Sequence, residues 1–203
     1  VAMFENSYRL TIEESVSCQS DEFVQIEGQS ALESAISQGV DVLMVEDMNK
    51  EHVLESCFNA VLAGKMVIGQ MYHPYIFEML DHLIKISGAS LIASTLLMVI
   101  AQRRIRLLCD SCKEVDTPPD ELNLRDVPIY RAKGCERCNS TGYQGISYLY
   151  EVLVINEKMR NSLRQNEGLK KIEEEAYQNG FISLKETLRE KLISGVISLK
   201  EVV

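Results

Sequence analysis

Leu107-Leu108-Cys109-Asp110-Ser111-Cys112-Lys113 and Lys133-Gly134-Cys135-Glu136-Arg137-Cys138-Asn139 organise this chain. Together they read C-x2-C-x22-C-x2-C. Each pair places two thiolates on one tight turn. Two such turns can close a tetrahedron of soft sulfur ligands around zinc, with Zn–S near about 2.3 Å. Four thiolates fill the coordination sphere and leave no open position for water. Cys109, Cys112, Cys135 and Cys138 are therefore expected to hold a structural Zn(2+), not a catalytic one. The competing reading is two disulfides or two redox pairs. No export signal opens the sequence, which makes a reducing cytoplasm the default and favours zinc. The loaded cluster would carry a formal charge of about -2, which Lys113, Lys133 and Arg137 stand close enough in sequence to offset.

Pro118, Pro119, Pro128 and several glycines lie around and between the knuckles. Residues 109–145 read as a small loop-rich module that metal holds together, because a core of that size is too small to fold by itself. Residues 1–108 alternate strand and helix. Strands are expected at Tyr8–Ile12, Phe23–Ile26, Val40–Val45 and Met66–Ile68, the last two continuous enough in apolar residues to be buried on both faces. Helices are expected at Gln29–Ser37 and through Val53, Leu54, Cys57, Phe58, Val61 and Leu62, with Asn49 capping the start and Gly64 the end. Two more are expected at Tyr75–Ile86 and Ser90–Leu107. This alternation predicts an α/β fold with a parallel sheet covered by helices. Residues 146–203 begin with a strand, Ser147–Ile155. Helices follow at Glu157–Gln165, Leu169–Gln178 and Leu184–Ile193, with a last turn from Leu199. Ser183-x-x-Glu186 and Ser198-x-x-Glu201 are capping-box patterns.

The chain has 203 residues, 46% of them hydrophobic, which is enough for one or two packed domains. A net charge of -9 sets it against phosphate backbones, so nucleic acid is not an expected partner. The longest apolar run, Ala89–Ala101, is shorter than the roughly 20 residues a membrane span needs. It reads as a buried helix with a basic exit at Arg103, Arg104 and Arg106. Cys57 reads as a small buried hydrophobe.

Ala101 to Cys109 and Gly134 to Gly145, the latter including Thr141-Gly142-Tyr143-Gln144-Gly145, resemble the zinc-binding segment of the bacterial type II secretion and type IV pilus assembly ATPases. The resemblance extends from about Tyr8 to Val203. It implies that residues 1–108 are the C-terminal portion of a RecA-like ATPase core, followed by the tetracysteine module and a helical C-terminal module. The family's acidic box reads Thr-Ile-Glu-Asp-Pro; Thr11-Ile12-Glu13-Glu14-Ser15 stands here. The Walker B strand of the family ends in Gly-Glu, followed by Ile-Arg-Asp. Asp41–Val45 is followed here by Glu46-Asp47-Met48-Asn49-Lys50, which puts Asp47 on the catalytic glutamate and Asn49 on the arginine. Where the family has Ser-Thr-Leu-His-Thr-Asn, this chain has Gly69-Gln70-Met71-Tyr72-His73-Pro74, with Tyr72 on the histidine. His73 lies one residue later and so faces the other way from the strand. The helix before Walker B carries arginines in the family; Leu32–Gln38 has none, and Glu33 reverses the charge.

No G-x-x-x-x-G-K-[ST] phosphate loop occurs in the sequence. The resemblance thus implies an ATPase-family component of a secretion or pilus motor with weak or no hydrolysis, with Glu13 and Asp47 as the surviving catalytic candidates. It leaves the use of ATP and Mg(2+) open. It further implies a ring of motor subunits, hexameric in the family, at the cytoplasmic face of the inner membrane with platform proteins as partners. The rival readings are an active motor once joined to an upstream phosphate loop, and a zinc ribbon that binds nucleic acid.

Overall fold

A computed structural model describes residues 7–16, 19–28, 31–73, 75–119, 124 and 127–202. Cys18, Gln29 and Pro74 lie outside the described residues. The elements of the first half are β1 (Arg9–Glu13), β2 (Val24–Glu27), α1 (Leu32–Ser37), β3 (Val42–Val45), α2 (Glu51–Leu62), β4 (Met66–Gly69), α3 (Ile76–Ser87) and α4 (Ala89–Thr95). The second half has β5 (Met98–Leu108), β6 (Glu114–Asp116), β7 (Ile129–Arg131), β8 (Tyr143–Val154), α5 (Glu157–Arg164), α6 (Leu169–Gln178) and α7 (Leu184–Ile193). Short 3-10 turns stand at Glu136–Cys138 and Leu199–Glu201. Two compact units result: Val1–Leu97 with Glu157–Leu169, and Met98–Asn156 with Lys170–Val203.

The first unit is built on a parallel sheet in the order β2-β1-β3-β4. Leu10 lies opposite Leu43, and Leu43 opposite Val67. Parallel strands need crossover connections; α1 supplies one between β2 and β3, and α2 one between β3 and β4. Leu10, Ile12, Leu43 and Val45 bury themselves against Leu32, Ala35, Val53 and Cys57. Burial pushes the Cys57 thiol up to about 12, as befits an inert packing residue. Arg160 of α5 donates to the Ala93 carbonyl near the end of α4, pinning two helices through an otherwise orphaned acceptor.

Three expectations for this unit need correction. β4 is an edge strand of its sheet, not a strand buried on both faces; Met66 and Ile68 are exposed. The N-cap position of α2 is held by Lys50, without a side-chain cap, and the Asn49 side chain turns to Asp47. Leu62 is exposed, and Ala60 joins Val53, Leu54 and Cys57 on the buried face of α2. Gly64 does follow the helix end with a positive φ of 85°.

The second unit rests on β5 and β8, a long antiparallel ribbon. Here the expected helix Ser90–Leu107 is replaced. The helix stops at Thr95 and Met98–Leu108 is a strand. Val99, Ile105 and Leu108 point inward, while Met98, Ile100, Gln102, Arg104 and Arg106 point out. Apolar side chains on both faces near residues 98–100 hide this period of two. The inward face packs with Leu149, Leu188, Leu192 and Ile197. The Ser183 capping box forms on α7 as expected. Ser198 makes no such cap, because Glu201 reaches Arg106 instead.

Candidate functional site

The first knuckle turns on Cys112 and Lys113 N–H groups donating to the Cys109 carbonyl, at 3.2 and 3.0 Å. The second repeats the pattern: Cys138 and Ser140 N–H groups donate to the Cys135 carbonyl at 3.2 and 2.9 Å. Asn139 and Ser140 both take a left-handed conformation to complete this turn. Gly142 joins the two knuckles. Its carbonyl accepts from Cys109 N–H at 3.0 Å, and its own N–H donates to Cys138 Sγ at 3.2 Å.

The four sulfurs lie within 4.8 Å of one another. Cys109 and Cys135 Sγ are 4.0 Å apart; Cys112–Cys138 and Cys135–Cys138 are each 3.8 Å. A tetrahedron with arms of about 2.3 Å has edges of about 3.8 Å, so the spacing fits zinc. It is far beyond the S–S bond length of about 2.04 Å. The donor chemistry agrees. Burial opposes charge on Cys138, yet the N–H groups of Cys135 and Gly142 and the neighbouring thiols hold it down at about 6. Burial pushes Cys112 up to about 12. Cys138 and Cys112 are thus pushed in opposite directions, a conflict that a bound dication would remove.

The surrounding cations are engaged. Lys113 bridges Asp110 Oδ1 at 2.7 Å and the Gly195 carbonyl at 2.9 Å. Lys133 pairs with Glu114, and Arg137 donates to Ser111 Oγ at 2.8 Å.

Two predictions follow from this geometry. Gly142 has φ +77°, and an added Cβ would lie 2.5 Å from Ala132 Cβ. Gly142→Ala is expected to cost about 2–4 kcal/mol, seen as a lower Tm with weaker zinc retention. The second concerns pH. Cys138 has a folded pKa of about 6, below its ordinary value of 9.0. Its contribution to stability is therefore full above about pH 9 and is lost as pH falls through about 6. Zinc release to a chromophoric chelator should rise as pH falls, because protons compete with the metal for the thiolates.

Two anchoring carboxylates escaped the sequence reading. Glu201, buried at 8% exposure, accepts from Arg106 N at 3.0 Å, Nε at 2.9 Å and Nη2 at 2.7 Å. Its position in a capping-box pattern masked this role. Glu151 Oε2 accepts from Leu184 N–H at 2.6 Å, at the start of α7, where a carboxylate is favoured. An acidic residue on the inward face of β8 was the available signal. Glu201→Ala is expected to lower stability by about 1.5–3 kcal/mol in thermal melts.

The other candidates gather at the carboxyl ends of β1 and β3. Glu13 Oε1 accepts from Gln25 Nε2 at 3.0 Å. The carboxylate of Glu46 accepts from the Glu14 N–H, tying the two strand ends together. Asp47 accepts from Asn49 N–H at 2.9 Å and from its side-chain amide. The Asn49 N–H, then its amide, hold the Asp47 carboxyl below its usual range. Asn49 Oδ1 in turn lies 3.4 Å from Tyr72 N. The residues on the Walker B and histidine positions thus meet in one loop cluster. Tyr72 is exposed, and the His73 ring lies 6.3 Å from that of His82.

The sequence model of the type II/IV secretion system protein family matches residues 1–203. The chain belongs to this family. Among relatives, it is 27% identical over 184 residues to the type IV pilus assembly ATPase PilB of Thermus thermophilus, covering 85% of this chain and 21% of that one. It is 28% identical over 180 residues to the type II secretion system protein E of Pseudomonas aeruginosa, covering 85% and 36%. The chain therefore spans about a fifth to a third of the length of these secretion and pilus relatives. In fold it is similar to the pilus retraction motor PilT, with TM-score 0.68 at 18% identity, covering 97% of this chain and 52% of PilT. The resemblance read from the zinc knuckles and strand-end boxes is thus shown at the level of the family.

Proposed function

We propose that this chain serves a secretion or pilus assembly motor as a weakly hydrolysing or non-hydrolysing subunit, with a structural zinc at Cys109, Cys112, Cys135 and Cys138. The observation that carries this reading is the state of Asp47. A general base needs a carboxylate free to reach water near a phosphate, and about 1 Å of misplacement costs on the order of 100-fold. Asp47 instead accepts two hydrogen bonds from Asn49, which hold it ionised and turned back onto its own loop. Tyr72 on the histidine position supplies no imidazole. Glu13 is held by Gln25.

The residues that support structure remain: the tetrad, the Gly142 turn and the anchors Glu151 and Glu201. They would keep a surface available to neighbouring ring subunits and to platform proteins at the cytoplasmic face of the inner membrane. Among the described residues, no helix is long and apolar enough to cross a membrane. We place residues 109–145 as the zinc module between the ATPase-like and C-terminal helical portions.

The test is ATP turnover with Mg(2+) by the longest natural form of the protein. Turnover within a few-fold of background, with one zinc per chain, is expected. Robust hydrolysis abolished by Asp47→Ala would instead make the chain part of a working motor.

A further inference from the structure

Residues 195–201 are held by groups that flank the cysteines. Lys113, next to Cys112, donates to the Gly195 carbonyl at 2.9 Å, and its ammonium stands 5.2 Å from the centre of the Tyr130 ring. Leu108, next to Cys109, donates its N–H to the Val196 carbonyl at 2.9 Å. Tyr143, next to the Gly142 that joins the two knuckles, shares a hydrogen bond of 2.9 Å between its hydroxyl and Ser198 Oγ. Arg106 spans both sides: it lies 4.2 Å over the Tyr143 ring and pairs with Glu201 at 2.7 Å. Gly195 has φ +68°, and an added Cβ would lie 2.7 Å from the Tyr130 ring. Ile197 and Ser198 are buried, at 0% and 3% exposure. All these residues belong to one compact unit.

We propose that residues 195–201 are a zinc-dependent latch, docked while the tetrad holds its metal and released when the metal leaves, with the β5–β8 ribbon and α7 still in place. The proposal rests on the structural zinc put forward above. Local structure makes this segment the separable piece. Its regular element is a three-residue 3-10 turn without a side-chain cap. The N–H groups of Gly195, Val196 and Glu201 bond only to the nearby carbonyls of Leu192, Lys191 and Ser198. By contrast, α7 closes its own capping box and buries Leu188 and Leu192 with Ile105 and Leu149. The segment thus depends on its long-range attachments at Arg106, Leu108, Lys113 and Tyr143. Zinc would fix the last three relative to one another by joining Cys109 and Cys112 to Cys135 and Cys138. Without it the hold falls on β6 and β7, three residues each, a pair too short to order itself. Once its anchors scatter, the segment gains more from free backbone motion than it keeps in contacts. Linkage makes the effect reciprocal: undocking weakens zinc binding by the same factor that zinc loss weakens docking.

The test is hydrogen–deuterium exchange, read by mass spectrometry, on the longest natural form of the protein, zinc-loaded and after a chelator has removed the metal. Peptides over residues 195–202 should exchange about tenfold or more faster without zinc, while those over α7 and Val99–Arg103 change by less than about twofold. Zinc affinity is then measured by competition with a chromophoric chelator. Ser198→Ala and Glu201→Ala leave the four cysteines intact and should each weaken zinc binding about fivefold. Tyr143→Phe removes the same hydrogen bond as Ser198→Ala, so the double variant should bind zinc within about twofold of either single one. Equal protection of residues 195–202 with and without zinc overturns the latch. So does a loss of protection spread evenly over residues 98–156 and 170–202, or a zinc affinity that neither Ser198→Ala nor Glu201→Ala alters. A protein that takes up no zinc at saturating Zn(2+) overturns the structural-zinc reading, and the latch with it.

Discussion

Cys135→Ser is expected to release the zinc and unfold the module around it. Cys135 Sγ stands 4.0 Å from Cys109 Sγ and 3.8 Å from Cys138 Sγ, so its loss removes one corner of the tetrahedron. The strands that frame the module, β6 and β7, have three residues each and form a separate two-stranded sheet. A pair so short is marginal alone. Structural zinc contributes on the order of 10–16 kcal/mol of apparent binding energy in small zinc peptides at neutral pH. A whole domain is stable by only about 5–15 kcal/mol. Loss of such an ion would therefore decide whether this region folds. Metal analysis should fall from one zinc per chain to near zero, and the melting transition should broaden or drop by more than about 10 °C. Retained zinc with an unchanged Tm would count against a structural role.

Leu43→Ala is expected to give the second large effect, in the other unit. Leu43 is fully buried on β3, between Leu10 of β1 and Val67 of β4. Truncating a leucine there removes its transfer energy and leaves a cavity that flanking strands cannot collapse to fill. The cost is about 2–5 kcal/mol, and the melting transition should fall by about 10 °C or more. Zinc should remain stoichiometric, because the tetrad belongs to a unit with its own core. A Tm shift of only a degree or two would mean that the parallel sheet is not where the stability lies.

The tetracysteine cluster was legible because its information is local. Two C-x2-C turns state the ligands, and Gly142 with its neighbours states the turn. The parallel sheet was legible from Val42–Val45, an apolar strand followed by an amphipathic helix. What escaped depends on distant partners. Met98–Leu108 looks helical until Tyr143–Val154 is laid beside it, because apolar residues occupy both of its faces at residues 98–100. Ser198 and Glu201 match a capping pattern, yet the carboxylate is claimed by Arg106 from 95 positions away. Asn49 looked like a helix cap, but its amide donates to Asp47 and its Oδ1 faces the Tyr72 N–H instead. Met66 and Ile68 read as buried because composition does not say whether a strand lies at the edge of its sheet.

The clamp between Arg106 and Glu201 also bears on the order of synthesis. β5 leaves the ribosome early, but the carboxylate that closes on it follows 95 residues later. At roughly 5–20 residues per second, that interval is about 5–20 s. The nascent ribbon must wait through it with its inward face unsealed, since Leu108 N–H also finds its acceptor at Val196. The four cysteines are all exposed to metal well before then. Zinc captured by the growing chain would fold the knuckles first, and would hold β5 near β8 until residues 196–201 arrive to lock them.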